Sequence, residues 1–339
     1  MNATHVESIA RSSLPPEVYD FYAGGSWGER TLEANTAAWD DVLVAPRVLR
    51  DVSAVSLEIE LLGERLPHPI LVAPVAYQGL LHADAEVATA RGAAAASALH
   101  VVSSRSTRPL EEIAAVPGRR WFQVYVLRDR GLTGDIVKRA AAAGYSALVL
   151  TGDAPILGPK TRDLRNGFVV PEELARGNLA VPRRSEPALQ DPATTWADVG
   201  WLRDLTGLPV LVKGILRADD AREAVAAGAA GVVVSNHGGR QLDGAVSTAW
   251  ALPRVADAVG GELPVLVDGG IRSGVDVLRA VVLGARAVLL GRPVAWALAA
   301  GGAAAVEALL RATVTDTADA FALAGCRSTA DCTRDLIAG

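Results

Sequence analysis

The stretch Ser235-Asn236-His237-Gly238-Gly239-Arg240-Gln241-Leu242-Asp243-Gly244 follows the apolar run Gly231-Val232-Val233-Val234. A β-branched run that breaks into His, Gly-Gly and Arg reads as a buried strand delivering a base, a tight backbone turn and a cation to one place. For a lone His beside a glycine pair, an ordinary polar turn is the plainer reading, but several other apolar runs here also end in residues able to do chemistry. Asp153 follows Thr151-Gly152. Brought beside His237, its carboxylate would raise the imidazole pKa and stabilise the imidazolium formed when the ring takes a proton. Lys213 ends the run Pro209 to Val212 with no obvious local carboxylate. An ammonium is costly to bury unpaired, so Lys213 requires an anionic partner, a Schiff base, or a cofactor that becomes negative during turnover.

Two further turns suit an anionic ligand. Asp268-Gly269-Gly270-Ile271-Arg272 and Gly291-Arg292 each follow an apolar run. Together they offer free backbone N–H groups and two guanidinium forks, a grouping that binds phosphate at the mouth of an α/β barrel.

These residues need strands that end on a common face. From about residue 68, eight apolar runs alternate with Ala-rich segments of helical pattern: Pro69 to Ala73, His100 to Ser103, Trp121 to Val126, Ala147 to Thr151, Pro209 to Val212, Gly231 to Val234, Pro264 to Val267 and Ala287 to Leu290. Helices are expected at about 85–98, 109–115, 130–142, 218–227, 248–259 and 274–283. Ala143-Gly144, Ala227-Gly228 and Leu283-Gly284 each read as a helix C-cap followed by a small-residue turn and a buried strand. Eight such units predict a single (β/α)8 TIM barrel over 1–339, with an open doubly wound sheet as the alternative. Residues 1–50 form a helical cap, with one or two helices over 3–23. Roughly fifty residues separate the fourth and fifth strands, a length that reads either as a lid or as a surface excursion. This loop, about 157–200, includes Arg183-Arg184-Ser185-Glu186-Pro187.

The formal net charge of −5 offers no global basic field for nucleic acid or an anionic membrane surface, so a small-molecule partner is expected. The N-terminal residues carry neither a signal-like apolar core nor an anchor, which predicts a cytoplasmic product. Val294 to Leu310 is short for a membrane span and contains Gly301-Gly302 and Glu307, so it reads as a buried barrel helix. Cys326 and Cys332 lack zinc or CxxC spacing, and no metal is expected.

With these residues placed, the chain resembles the FMN-dependent 2-hydroxy acid oxidase and dehydrogenase family. The resemblance runs almost end to end, through Val18 to Gly25, Ala73-Pro74-Val75-Ala76, Phe122-Gln123-Val124-Tyr125, Thr151-Gly152-Asp153, Leu211-Val212-Lys213-Gly214, Ser235 to Asp243 and Asp268-Gly269-Gly270. It implies FMN as cofactor, its phosphate on Gly270, Arg272, Gly291 and Arg292. The ring edge would lie against Pro74, Val75, Ala76, Ser103, Gln123 and Thr151, with Ser235, Gly238, Asp268 and Gly269 also lining the cofactor. Lys213 would sit near the part of the flavin that gains negative charge on reduction. His237 would be the general base oriented by Asp153, Arg240 the carboxylate anchor, and Tyr125 a hydrogen-bond partner of the substrate oxygen. The reaction implied is oxidation of an L-2-hydroxy acid to a 2-oxo acid.

Three positions depart from the usual family pattern. Phe21 stands where a Tyr is usual, Lys160 where an Arg is usual, and Arg105 where glycolate oxidase shows a Trp. Phe21, Pro74 to Tyr77 and Trp121 to Tyr125 resemble hydroxymandelate oxidases, which implies an aryl or bulky substrate against Phe21, Tyr77, Arg105 and Lys160. Ala76, where dehydrogenase and monooxygenase relatives tend to carry Gly, implies reoxidation by oxygen with release of hydrogen peroxide. A dehydrogenase using another acceptor and a repurposed flavin barrel are the alternatives. Relatives imply a homo-oligomer, a tetramer or an octamer.

Overall fold

The computed structural model describes residues 1–339 apart from Ala180, Arg183 and Gly339. The chain opens with three helices, Ala3–Ser13, Pro16–Ala23 and Arg30–Asp40. The first two answer the expected cap, broken at Leu14-Pro15 because proline lacks the N–H needed to continue a helix. A hairpin follows, β1 (Ile59–Leu61) and β2 (Glu64–Leu66), which the sequence reading did not anticipate.

Eight parallel strands then close into a barrel: β3 (Ile70–Val72), β4 (His100–Ser103), β5 (Arg120–Val124), β6 (Leu148–Thr151), β7 (Val210–Ile215), β8 (Gly231–Val234), β9 (Val265–Val267) and β10 (Ala287–Leu290), with β10 pairing back onto β3. The open-sheet alternative is thereby excluded. The strands read as continuous apolar runs because both faces are buried. Alternate residues divide between two cores. Leu71, Val101, Trp121, Val149, Leu211, Val233, Leu266 and Leu289 pack in one cluster with Ile59, Leu61 and Leu66 of the hairpin, which therefore plugs the barrel interior. Ile70, Val72, Phe122, Leu148, Val210, Val232 and Val288 join the layer of helix side chains outside. Period-two alternation within each strand produces this division.

The expected helices appear at Ala85–Ala95, Leu110–Ala114, Arg130–Ala142, Ala218–Ala226, Thr248–Val259 and Gly274–Val282. Side-chain caps start three of them. Asp129 accepts from Gly131 N and Leu132 N, Ser247 from Trp250 N, and Ser273 forms a capping box with Asp276. The apolar segment from Val294 belongs to a longer helix, Arg292–Leu323, kinked at Gly301 and Gly302. Gly302 has φ +61°, and a Cβ there would meet the His82 ring at 2.8 Å, so only glycine fits the kink. By length and composition this helix could cross a membrane, but 61% of its most apolar window is buried against the rest of the chain.

The described residues of the long βα loop include regular structure. The loop carries the short helix Thr161–Asn166 and returns to the barrel through the helix Ala197–Thr206. Arg183 of the expected lid lies outside the described residues.

Candidate active site

The C-terminal ends of the strands, the helical cap and the long loop enclose a cavity of about 830 Å³. Its lining includes Phe21, Pro74, Val75, Ala76, Tyr77, Ser103, Arg105, Gln123, Tyr125, Thr151, Lys160, Lys213, His237, Gly238, Arg240, Asp268, Gly269, Gly270, Arg272, Gly291 and Arg292. Of the residues selected from the sequence, only Asp153 and Ser235 stand behind this wall, each holding a residue that lines it.

After β8 the backbone takes three successive left-handed residues, His237 (φ 58°), Gly238 (φ 62°) and Gly239 (φ 77°). A left-handed histidine is strained, and it is secured because its backbone N–H donates to the buried Ser235 Oγ at 3.1 Å. Asn35 and Asn236 exchange amide hydrogen bonds of 2.8 and 2.7 Å, which ties the helix Arg30–Asp40 to this turn. The imidazole is thereby aimed between two partners. Nδ1 lies 3.0 Å from Asp153 Oδ1, and Nε2 lies 3.4 Å from the Tyr125 hydroxyl. Burial alone would raise the Asp153 pKa, but His237 and then Lys213 outweigh it and hold the carboxyl below its usual range. A carboxylate on Nδ1 keeps the proton there and leaves Nε2 as the acceptor facing the cavity. For Tyr125, burial and then Asp153 push the pKa up, so the phenol stays protonated and donates.

Lys213 corrects an expectation. It does have a carboxylate in reach: Nζ lies 3.2 Å from Asp268 Oδ2 and donates to Ser235 Oγ at 2.8 Å. Asp268 was invisible as a partner because it ends a strand two places round the barrel rather than lying nearby in sequence. Burial alone would lower the Lys213 pKa, yet Asp268 and then Asp153 raise it, so the ammonium stays charged.

Arg240 donates to Gly24 O at 2.6 Å and lies over the Phe21 ring at 5.5 Å. Lys160 does not offer its ammonium to the cavity in the manner of a second fork. Its Nζ donates to Ser26 Oγ at 3.2 Å, to Gly158 O at 2.7 Å and to Arg240 O. It therefore supports Arg240 through the backbone. Burial and then the Arg240 charge lower its pKa to about 7.

The residues expected to hold phosphate, Gly270, Arg272, Gly291 and Arg292, line the same cavity. Arg292 donates to Tyr22 O, Gly238 O and Gly24 O at 2.9 to 3.0 Å. Burial, then Arg240 and Arg272, pull its pKa down to about 9, and burial lowers that of Arg272 as well. Two half-buried guanidinium groups that repel one another make a place for an anion. At Gly270 (φ +88°) a Cβ would meet Asn35 O at 2.2 Å, so the turn can approach the cap only as glycine.

Several site residues escaped the sequence reading. Tyr22 lines the cavity and donates its hydroxyl to Ala76 O at 3.0 Å and Tyr77 O at 2.7 Å, fixing the turn after β3. Asp163 places a carboxylate in the same cavity, and burial raises its pKa. Phe168 and Val170 of the long loop pack with Phe21 and Tyr77 into an apolar wall. Phe21-Tyr22 is visible as an aromatic pair on a helix, but nothing local shows which ring faces the barrel.

The residues present fit FMN. The cavity has the size of a cofactor site, with two guanidinium groups and a glycine turn at one end. A charged Lys213 stands on its wall, and Asp268 Oδ1 is buried with no protein partner among the described residues. Gln123 bridges neighbouring strands, donating to Thr151 Oγ1 at 2.9 Å and accepting from Ser104 N at 3.2 Å, which holds a polar edge in place.

Comparison with known proteins agrees. A family described as FMN-dependent dehydrogenase matches residues 10–339. The chain is 50% identical to a 4-hydroxymandelate oxidase of Amycolatopsis orientalis, over 95% of this chain and 94% of that protein. It is 45% identical to an L-lactate oxidase of a Nostoc species, over 98% and 96%. Among solved structures, mandelate oxidase with (S)-4-hydroxymandelic acid superposes with a TM-score of 0.94 at 48% identity, covering 98% of this chain and 97% of that one. With its barrel closed, its base and cations convergent and a match running from residue 10 to the end, the chain belongs to the FMN-dependent dehydrogenase family.

Proposed function

We propose that this enzyme oxidises an L-2-hydroxy acid with an aryl or bulky side chain to the 2-oxo acid, with O2 as final acceptor and H2O2 as second product. The observation that carries this reading is the His237 imidazole, held on Asp153 through Nδ1 while Nε2 faces Tyr125 inside the cavity. Arg240 binds the substrate carboxylate, which brings the 2-hydroxyl to His237 and Tyr125. His237 takes a proton at Nε2, and the carboxylate of Asp153 stabilises the imidazolium that results. When bound, FMN supplies the acceptance of the two electrons that leave the substrate. Lys213 provides fixed positive charge on the cofactor's side of the cavity. The apolar wall of Phe21, Tyr77, Phe168 and Val170 supports a large side chain, with Phe21 5.4 Å from Phe168 between ring centroids.

The test is an anaerobic panel of mandelate, 4-hydroxymandelate, lactate and glycolate, read as bleaching of the bound flavin. The expected result is fast bleaching by the aryl acids, then rapid recovery with peroxide on admitting air. An unchanged spectrum with every acid would mean a repurposed flavin barrel. Bleaching followed by slow recovery without peroxide would mean a dehydrogenase.

A homo-oligomer belongs to the same reading. Exposed Trp27, Ile156, Leu157 and Leu242 meet where Trp27 N donates to Pro159 O and Gln241 donates to Ile156 O. Such an apolar rim suits a subunit contact. Light scattering at the monomer mass would oppose it.

A further inference from the structure

Arg105 is a cation in this cavity that the chemistry above does not use. It is only 7% exposed, yet it lines the cavity beside Tyr125, Leu189 and Gln190. Its position is fixed from three sides. The backbone N–H donates to Ser103 Oγ at 3.1 Å, the carbonyl accepts from Tyr77 N at 3.0 Å, and Nη2 donates to Ala188 O at 2.5 Å on the returning arm of the long loop.

Arg105 and Arg240 have separate surroundings but share one neighbour. Arg240 stands with Gly24, Phe21 and the Lys160 anchor, whereas Arg105 stands with Ser103, Tyr77 and Ala188. Both are close enough to the Tyr125 hydroxyl for their charges to act on it. A 2-hydroxy acid bound with its hydroxyl at Tyr125 and its carboxylate on Arg240 leaves Arg105 facing the side chain. The same cavity offers an apolar wall for the body of that side chain and Arg105 for its end, with Arg184 of the long loop adding a second cation to the lining. A buried cation favours an electron-rich oxygen and penalises a hydrocarbon end.

Resting on the hydroxy acid reading above, we propose that Arg105 binds an oxygen acceptor at the far end of the substrate's side chain. The preferred substrate then bears a phenolic or carboxylate oxygen remote from the carboxylate held by Arg240. Arg105 is thus a specificity residue for the side chain and not a helper of Arg240.

The experiment compares kcat/KM of the FMN-loaded enzyme for mandelate, 4-hydroxymandelate and 4-carboxymandelate. A charge-assisted hydrogen bond of ordinary strength predicts that at least one para-oxygen substrate exceeds mandelate by about tenfold or more. The larger of the two ratios tells phenol from carboxylate. Arg105→Met should bring both ratios to within about twofold of unity while FMN stays bound, since only the hydrogen bond to the side chain is lost. Arg105→Lys should retain part of the preference. Wild-type turnover of mandelate equal to or faster than both para-oxygen acids overturns the inference while leaving the hydroxy acid reading intact, and this arm needs no variant to fold. Ratios that survive Arg105→Met also overturn it. Failure of all three acids to bleach the flavin removes the underlying reading and this one together.

Discussion

The Nδ1 of His237 lies 3.0 Å from Oδ1 of Asp153, and this one contact decides which ring nitrogen faces the cavity. Asp153→Asn preserves the shape but offers an amide N–H or carbonyl in place of a carboxylate. The imidazolium loses its counter-charge, and kcat should fall by about 10²- to 10⁴-fold with a smaller change in KM. Stopped-flow bleaching under nitrogen measures this directly. The depressed Asp153 pKa has a defined sign: its contribution to stability is present above the ordinary value of 3.8 and is lost as pH falls through the lower folded value.

Arg240→Lys keeps the charge and removes the fork. Lysine cannot donate in parallel to a carboxylate while also bonding Gly24 O and covering the Phe21 ring. A loss of at least about a hundredfold in kcat/KM is expected from the bidentate contact alone. Near-normal KM and kcat in the variant would show that the carboxylate is held elsewhere.

Lys160 titrates within the working range. With its pKa lowered to about 7, it is cationic below neutrality and neutral above. A charged neighbour of Arg240 favours an anionic substrate, so KM should rise as pH climbs through 7. Lys160→Arg holds its charge throughout and should flatten that rise. Initial rates from pH 6 to 8.5 in both proteins decide it, and parallel profiles would exclude Lys160 as the source.

The Lys213–Asp268 pair is almost wholly buried, at 4% and 10% side-chain exposure. Lys213→Met leaves a carboxylate without its cation and should cost about 3–5 kcal/mol in urea unfolding. Adding Asp268→Asn to the same chain should recover part of that loss, a pattern that simple cavity damage would not give. The raised Lys213 pKa stabilises the fold fully below 10.5, and this contribution fades as pH rises through the higher folded value.

Period and punctuation make the barrel legible in the sequence. All eight strands were marked by short apolar runs, and the Gly turns at their ends pointed to the face where His237, Lys213 and Arg292 converge. The hairpin over residues 59–66 was not legible, because three-residue strands show too little alternation to register. Partnerships across the barrel were hidden for a different reason. Lys213 with Asp268, Lys160 with the Arg240 carbonyl, and Tyr22 with Ala76 O join residues far apart in the chain. Buried Glu86 belongs to the same class: its carboxylate accepts from Gln78 N, Thr107 N and Arg108 N, tying the turns after β3 and β4. The sequence showed it only as an acidic residue in a helix.

The clasp between Asn35 and Asn236, seconded by Trp39 Nε1 donating to Gly269 O at 2.8 Å, has a consequence for how the molecule is made. The helix Arg30–Asp40 leaves the ribosome about two hundred residues before the turns it grips. Until β8 and β9 are in place, these hydrogen bonds cannot form. Docking of this helix is therefore a long-range event in folding, and the histidine turn takes its working shape only when segments made about two hundred residues apart meet.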